Sequence, residues 1–197
     1  HFIKKSQLPE QLPNLPEFIL DTNTTLEILQ FSEAEVLKVI KGLDTSKATG
    51  PDGVSNTLLK RTALSISKPL CNLFNKSLAW SKFPSEWKTA HLAPVFKANN
   101  KQDPTNYRPI SLLSNIGKLL ERLVFIKLYE YCMRNNQLTW RNSAYKIGDS
   151  SINQLTYLVH RIYEALERGE DVCFVSLDAS AAFDRVCHQR SEEHTSE

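Results

Sequence analysis

The sequence predicts a mixed α+β protein with separate helical and strand-bearing stretches, and three observations lead there. Apolar residues recur at helical spacing in 31–43, 54–78, 114–136 and 152–169. Two short runs, TAHLAPVFK (89–97) and NYRPISLL (106–113), alternate or are β-branched in the manner of strands. A third β-rich run, DVCFVSLD (171–178), lies near the C-terminal end of the 197 residues.

The first 30 residues are Pro-rich and irregular and read as a linker or lead-in. Ser32-x-x-Glu35 is a capping box: the hydroxyl and the carboxylate each satisfy an orphan N–H at a helix start. It opens a helix through FSEAEVLKVIKGL that Gly42 closes. In DTSKATGPDGVS, Pro51 fixes φ and Gly53 accepts positive φ, which predicts a tight turn. Val54, Leu58, Leu59, Leu70, Leu73, Phe74 and Leu78 predict two further helices, interrupted near Pro69. FPSEW (83–87) breaks the helical pattern. Pro94 places the 89–97 strand at a sheet edge. The helix 114–136 carries Lys118, Arg122 and Lys127, and the helix after the 137–151 loop ends at Gly169. The 171–178 run is predicted to be a buried strand ending on Asp178.

Composition excludes several classes. At 41% hydrophobic and 23% charged residues the chain is an ordinary globular sequence. No apolar stretch reaches the length of a membrane span, and HFIKKSQLPE is not a signal peptide. Cys71, Cys132, Cys173 and Cys187 form no CxxC pair, so buried reduced thiols in an intracellular, nuclear or cytoplasmic setting are expected, and no zinc site. The net charge of +2 is unevenly spread. Residues 88–146 hold 10 basic and 3 acidic side chains, and residues 147–197 hold 4 and 10. A basic block beside an acidic one fits a polyanion surface next to a cation site; solvated helix faces are the competing account.

A carboxylate at the end of a buried strand is costly unless its charge is compensated. A hard cation such as Mg²⁺ is one solution; capping the next helix from Asp178 or Ser180 is the other.

Taken in order, KATGPDGVSNTLLK, FPSEWKTAHLAPVFKANNKQDPTNYRPISLLSNIGKLLERLV, SAYKIGDSSINQL and FVSLDASAAFDRV resemble the reverse transcriptase of non-LTR retrotransposons of the Jockey/CR1-like kind. The resemblance covers about residues 31–190, and YRPISLLS with LDxSxAFDRV is highly specific. It implies a right-hand polymerase of which this stretch forms the fingers and an incomplete palm, a partial reverse transcriptase domain. It further implies an RNA template, a DNA primer and dNTPs as partners, with Mg²⁺ or Mn²⁺ as cofactor. By the resemblance, Asp178 is a catalytic metal-binding aspartate and Ala179 offers its backbone carbonyl to the nucleotide-side metal. Phe183 is the steric gate against a ribose 2′-hydroxyl, and Asp184 is a supporting or surface carboxylate, not a third metal ligand. Arg108, Lys118, Arg122 and Lys146 become candidates for phosphate or template contact. Lys47, Gly50, Pro51, Asp52 and Gly53 form the K-x-x-GPDG hallmark, which shapes the template path or stabilises a turn.

Two features depart from the family. The loop at 142–150, close to Q-x-G-F-R-P-G-x-S in the family, is NSAYKIGDS here, with Ala144, Lys146 and Ile147 replacing Gly, Arg and Pro. Ala181 stands where the family has Lys. No Tyr-x-Asp-Asp hairpin occurs, so one of three metal-binding aspartates is present and the chain alone is expected to be inactive. RSEEHTSE resembles a translated sequencing adapter, which makes 191–197 an expected non-native tail and the whole a fragment. The competing expectations are a non-catalytic nucleic-acid-binding module and an unstable product of a decayed element.

Overall fold

The structure, a computed structural model, describes residues 29–139 and 141–179. They form two compact units that divide between residues 132 and 133.

In the first unit, α1 (Glu33–Lys41) starts at the capping box. Glu35 N–H donates to Ser32 Oγ at 3.3 Å, and Ser32 N–H donates to the Glu35 carboxylate at 2.8 Å. Its inner face, Val36 and Ile40, is fully buried. A short helix α2 (Asn56–Arg61) and a long one, α3 (Ala63–Ala79), follow. The break between them lies at Thr62, which ends α2 and starts α3, and not near Pro69 as the sequence predicts. Pro69 sits inside α3. The missing N–H and the ring clash cost about 3 kcal/mol. Ala63, Ser67, Cys71, Phe74 and Ser77 lie along one buried face of α3, and that packing holds the helix through the proline. Asn75 clamps the residue before the capping box: its side chain accepts from Phe31 N–H and donates to Phe31 C=O, both at 2.8 Å.

FPSEW becomes a 3₁₀ turn (Ser85–Lys88) that delivers Trp87 into the core. There Trp87 meets Phe74 and Phe83 edge-on, with ring centroids 6.0 and 5.6 Å apart. The two predicted strands are present as β1 (Ala90–Phe96) and β2 (Tyr107–Leu113), an antiparallel pair. Pro94 faces Pro109 across it. Lys97 N–H bonds Asn106 C=O at 2.8 Å. Hydrogen-bonded rungs alternate from there, so the proline pair falls on a rung that needs no N–H from either residue. Helix α4 (Asn115–Arg134) follows and buries Leu119, Leu120 and Leu123 in the same core.

In the second unit, α5 (Ser151–Glu167) is capped by the Ser150 side chain, which accepts from Asn153 N–H. It ends as the sequence predicts. Gly169 has φ +72°, its N–H reaches Leu166 C=O, and Glu170 N–H reaches Ala165 C=O. This is the paired closure that a left-handed glycine permits.

The strand predicted over 171–178 is not observed. Residues 171–179 have no regular secondary structure, and Phe174, Val175 and Leu177 are 64%, 71% and 93% exposed. A β-rich composition does not make a strand without a partner ladder, and among the described residues none is offered to this segment. The only sheet among them is the β1–β2 pair.

Candidate functional site

The family-like motif blocks of the first unit interlock at one place. Gly50 packs on the end of β2, where a Cβ would stand 2.5 Å from Leu113 C and O and 2.7 Å from Ser114 N. Only glycine allows that approach. Gly53, two residues on from the proline, takes φ +71°. Between them Asp52 accepts from the buried Ser114 hydroxyl at 2.5 Å and from Val54 N–H at 3.1 Å. Ser114 Oγ in turn accepts from Gly117 N–H at 3.2 Å, capping α4. Asn115, 2% exposed, donates to Val54 C=O at 2.8 Å. At Gly117 a Cβ would stand 3.1 Å from Trp87 Cβ. GPDG, FPSEW and LLSNIG thus fix the start of α4 against each other. Of the two roles expected for the GPDG loop, this geometry is that of a turn and packing element.

That fixed start sets where Lys118 and Arg122 project. Both line a groove of about 850 Å³ between α1 with its following loop and α4, together with Lys38, Lys47 and Lys127. Two of these cations are committed. Lys127 bonds the Glu35 carboxylate, and Lys47 lies 3.5 Å from Asp44 in an exposed pair. Hydrogen bonds from Lys127 and then from Ser32 N–H hold Glu35 down to about 2. The side chains of Lys38, Lys118 and Arg122 have no ion-pair or hydrogen-bonding partner among the described residues. Glu121 and Glu130 also line the groove and limit its net charge.

The other predicted residues are not gathered there. Arg108 is exposed on β2 opposite Val95, outside the groove. Lys146, half-buried, belongs to the second unit in the loop before α5. That loop carries Tyr145 at φ +59° and Gly148 at φ +82°. Next to it Asp149 is held below the ordinary carboxylate range, first by Ser150 N–H and then by the Asn153 and Ser143 side chains, with Lys146 a minor contributor. A cavity of about 610 Å³ opens beside this loop, lined among others by Ser143, Gln154, Leu155 and Phe174. Asp178 and Ala179 are exposed in the irregular segment. Phe183 and Asp184 lie outside the described residues.

Asp178 offers the hard oxygen that Mg²⁺ takes. Among the described residues, however, no three His, Cys, Asp or Glu side chains cluster as a metal site would require. One exposed carboxylate does not constitute that site, and no chemical step is assigned through it.

Sequence reading picked out Lys118 and Arg122 by family position, and missed that Lys38 and Phe125 share their groove. The i, i+4, i+7 spacing of Lys118, Arg122 and Phe125 along one helix was the available signal; Lys38, 80 residues before Lys118, left none.

No family model matches the sequence. Individual proteins do. The chain is 32% identical over 165 residues to the probable RNA-directed DNA polymerase from transposon BS of Drosophila melanogaster, covering 83% of this chain and 18% of that protein. It is 29% identical over 164 residues to the probable RNA-directed DNA polymerase from transposon X-element of the same fly, again 83% and 18%. With the RNA-directed DNA polymerase from mobile element jockey it shares 28% over 190 residues, 95% of this chain and 21% of the relative. The chain therefore spans about a fifth of the length of these curated relatives. Across most of its length the chain is thus similar to RNA-directed DNA polymerases of non-LTR retrotransposons.

Proposed function

We propose that this chain is a segment of an RNA-directed DNA polymerase that adds dNTPs to a DNA primer on an RNA template. In this reading residues 31–132 supply the fingers, and the segment ending at Asp178 begins the palm. The observation that carries it is the similarity over most of the chain to proteins named as RNA-directed DNA polymerases. The interlocked start of α4 supports it, since it gathers motif blocks from three separate stretches in one body.

Asp178 and the Ala179 carbonyl are the chain's contribution to a divalent-metal site, with Mg²⁺ or Mn²⁺ as the ion and the remaining ligands supplied beyond the described residues. Phe183 serves as the gate against ribonucleotides. Lys118 and Arg122 hold phosphate in the groove; Arg108 and Lys146 are further phosphate contacts outside it. Arg suits a bidentate phosphate contact, whereas Lys146 acts as a point charge.

A non-catalytic nucleic-acid-binding role for the isolated chain is the second reading, favoured by the basic block at 88–146, with 10 basic and 3 acidic side chains. The purified chain is accordingly expected to show no metal-dependent primer extension.

The test is a chimera in which residues 31–190 replace the matching segment of the jockey polymerase. RNA-templated DNA synthesis is expected to persist and to fall below detection with Asp178→Asn. Undiminished synthesis by the Asp178→Asn chimera would refute the role of Asp178.

A further inference from the structure

The outer face of α3 carries an apolar stripe that the described residues leave open. Leu73 is 42% exposed, and Trp80, at the C-terminal cap of the helix, is 68% exposed. Seven residues, two helical turns, separate them, so they share a face, and Lys76 lies between them. An ordered helix end holds Trp80 there. Ser81 takes a left-handed φ of +49° and its N–H reaches Leu78 C=O. Lys82 N–H reaches Ser77 C=O, and the Ser77 hydroxyl donates to Lys82 C=O. The surroundings are basic: residues 53–85 hold five basic side chains and no acidic one. Lys68, Lys76 and Lys82 are exposed, and their side chains have no partner among the described residues. Glu33 of α1 does reach α3, but on its inner side, where it accepts from the buried Ser67 hydroxyl at 2.9 Å.

The chemical complement lies just upstream in the same chain. Residues 17–28, EFILDTNTTLEI, hold three acidic side chains (Glu17, Asp21 and Glu27), five apolar ones and no basic one. The chain is tied to α3 directly after them. Buried Phe31 is clamped through its backbone by Asn75 at 2.8 Å on both sides, and its C=O also accepts from Cys71 Sγ at 3.2 Å. Asn75 and Trp80 are five residues apart, about 7.5 Å along the helix axis. Twelve extended residues span up to about 40 Å, so reach does not limit contact.

We propose that residues 17–28 dock along this face, with their carboxylates against Lys68, Lys76 and Lys82 and their apolar side chains over Leu73 and Trp80. The tether favours this occupant over a free partner, because a short connection gives an effective concentration on the order of millimolar. Exposed ion pairs contribute little each, so the apolar stripe supplies the hold and the charges set which segment docks. The docking goes beyond the polymerase reading and does not depend on it.

The experiment treats the full chain with a carbodiimide, which joins a carboxylate to a lysine amine it touches, forming an amide as the reagent takes up the water lost. Peptide mass spectrometry then maps the links. The expected links run from Glu17, Asp21 or Glu27 to Lys68, Lys76 or Lys82 within one chain. Trp80→Ala cuts their yield about fivefold or more. Leu64→Ala, also exposed but half a turn round α3 from Leu73, leaves the yield unchanged. Circular dichroism checks that each variant stays folded. Absence of these links in the folded parent would overturn the docking, as would parent-like yield from Trp80→Ala or an equal loss from Leu64→Ala. Links that form only between isotopically light and heavy copies would also overturn it, assigning the face to a second copy instead.

Discussion

Gly50→Ala isolates the interlock at the start of α4. A Cβ there would sit 2.5 Å from Leu113 C and O, 0.9 Å inside the 3.4 Å at which ordinary contact begins. The obstructing atoms are backbone, so no side chain can swing away. The GPDG loop must retreat by about that distance. A shift of that size stretches the 2.5 Å Asp52–Ser114 bond to the edge of hydrogen-bonding range and takes the 2.8 Å Asn115–Val54 bond beyond it. A bond to a charged group contributes about 1.5–3 kcal/mol and a neutral one about 1. The expected loss is therefore up to about 2.5–4 kcal/mol, a large share of the roughly 5–15 kcal/mol typical of a domain. Urea unfolding followed by circular dichroism measures it. Gly53→Ala is the control, because it has open space and only a left-handed φ to accommodate. It should cost about 1–2 kcal/mol. A loss below 1 kcal/mol for Gly50→Ala, or one no larger than for Gly53→Ala, would refute the close-approach argument.

Two further outcomes follow from the first unit. Glu35 is depressed from 4.5 to about 2 in the folded chain, so its contribution is complete above about pH 4.5 and is lost as pH falls from there through 2. The full shift would be worth about 3 kcal/mol. With the carboxylate side chain 38% exposed, solvent screening reduces this to about 1 kcal/mol. Glu35→Gln should flatten the acid limb of a stability–pH curve by that amount, and an unchanged limb would show the Lys127 contact to be inert. Phe74 is fully buried and meets Trp87 edge-on. Phe74→Ala should cost about 3–5 kcal/mol in the same urea assay.

What the sequence made legible was local. The Ser32–Glu35 box, the Gly169 closure, and the alternation in 89–97 each encode an element through neighbours within a few residues, and each element is observed. What it hid depends on distant partners. Asp52 and Ser114 are 62 positions apart, and no periodicity pairs them. Pro69 carries a strong local signal to break α3, but the buried face from Ala63 to Ser77 outweighs it. The 171–178 run shows the converse. Val172, Phe174, Val175 and Leu177 have strand composition, yet a strand is a property of a pair, and no partner is described for them.

The residues that make the resemblance specific and those proposed to do chemistry are largely different sets. In GPDG, FPSEW and LLSNIG, Gly50, Gly117, Asp52, Trp87, Ser114 and Asn115 are occupied with each other: close backbone approach, capping and buried hydrogen bonds. Each tolerates little change because its partner atoms are backbone or buried. The charged residues beyond this knot are exposed or half-buried, and Lys118, Arg122 and Lys38 have no partner among the described residues to fix their identity. The loop at 142–150 fits the same division. Of the positions that depart from the expected pattern, Ala144 and Ile147 are exposed and Lys146 is half-buried, whereas Gly148, with its positive φ, is kept. A motif in this chain thus records first which backbones must touch. The proposed phosphate contacts Lys118 and Arg122 stand on α4, the helix whose start the interlock fixes, so Gly50, distant in sequence from Lys118, bears on the helix that carries that lysine.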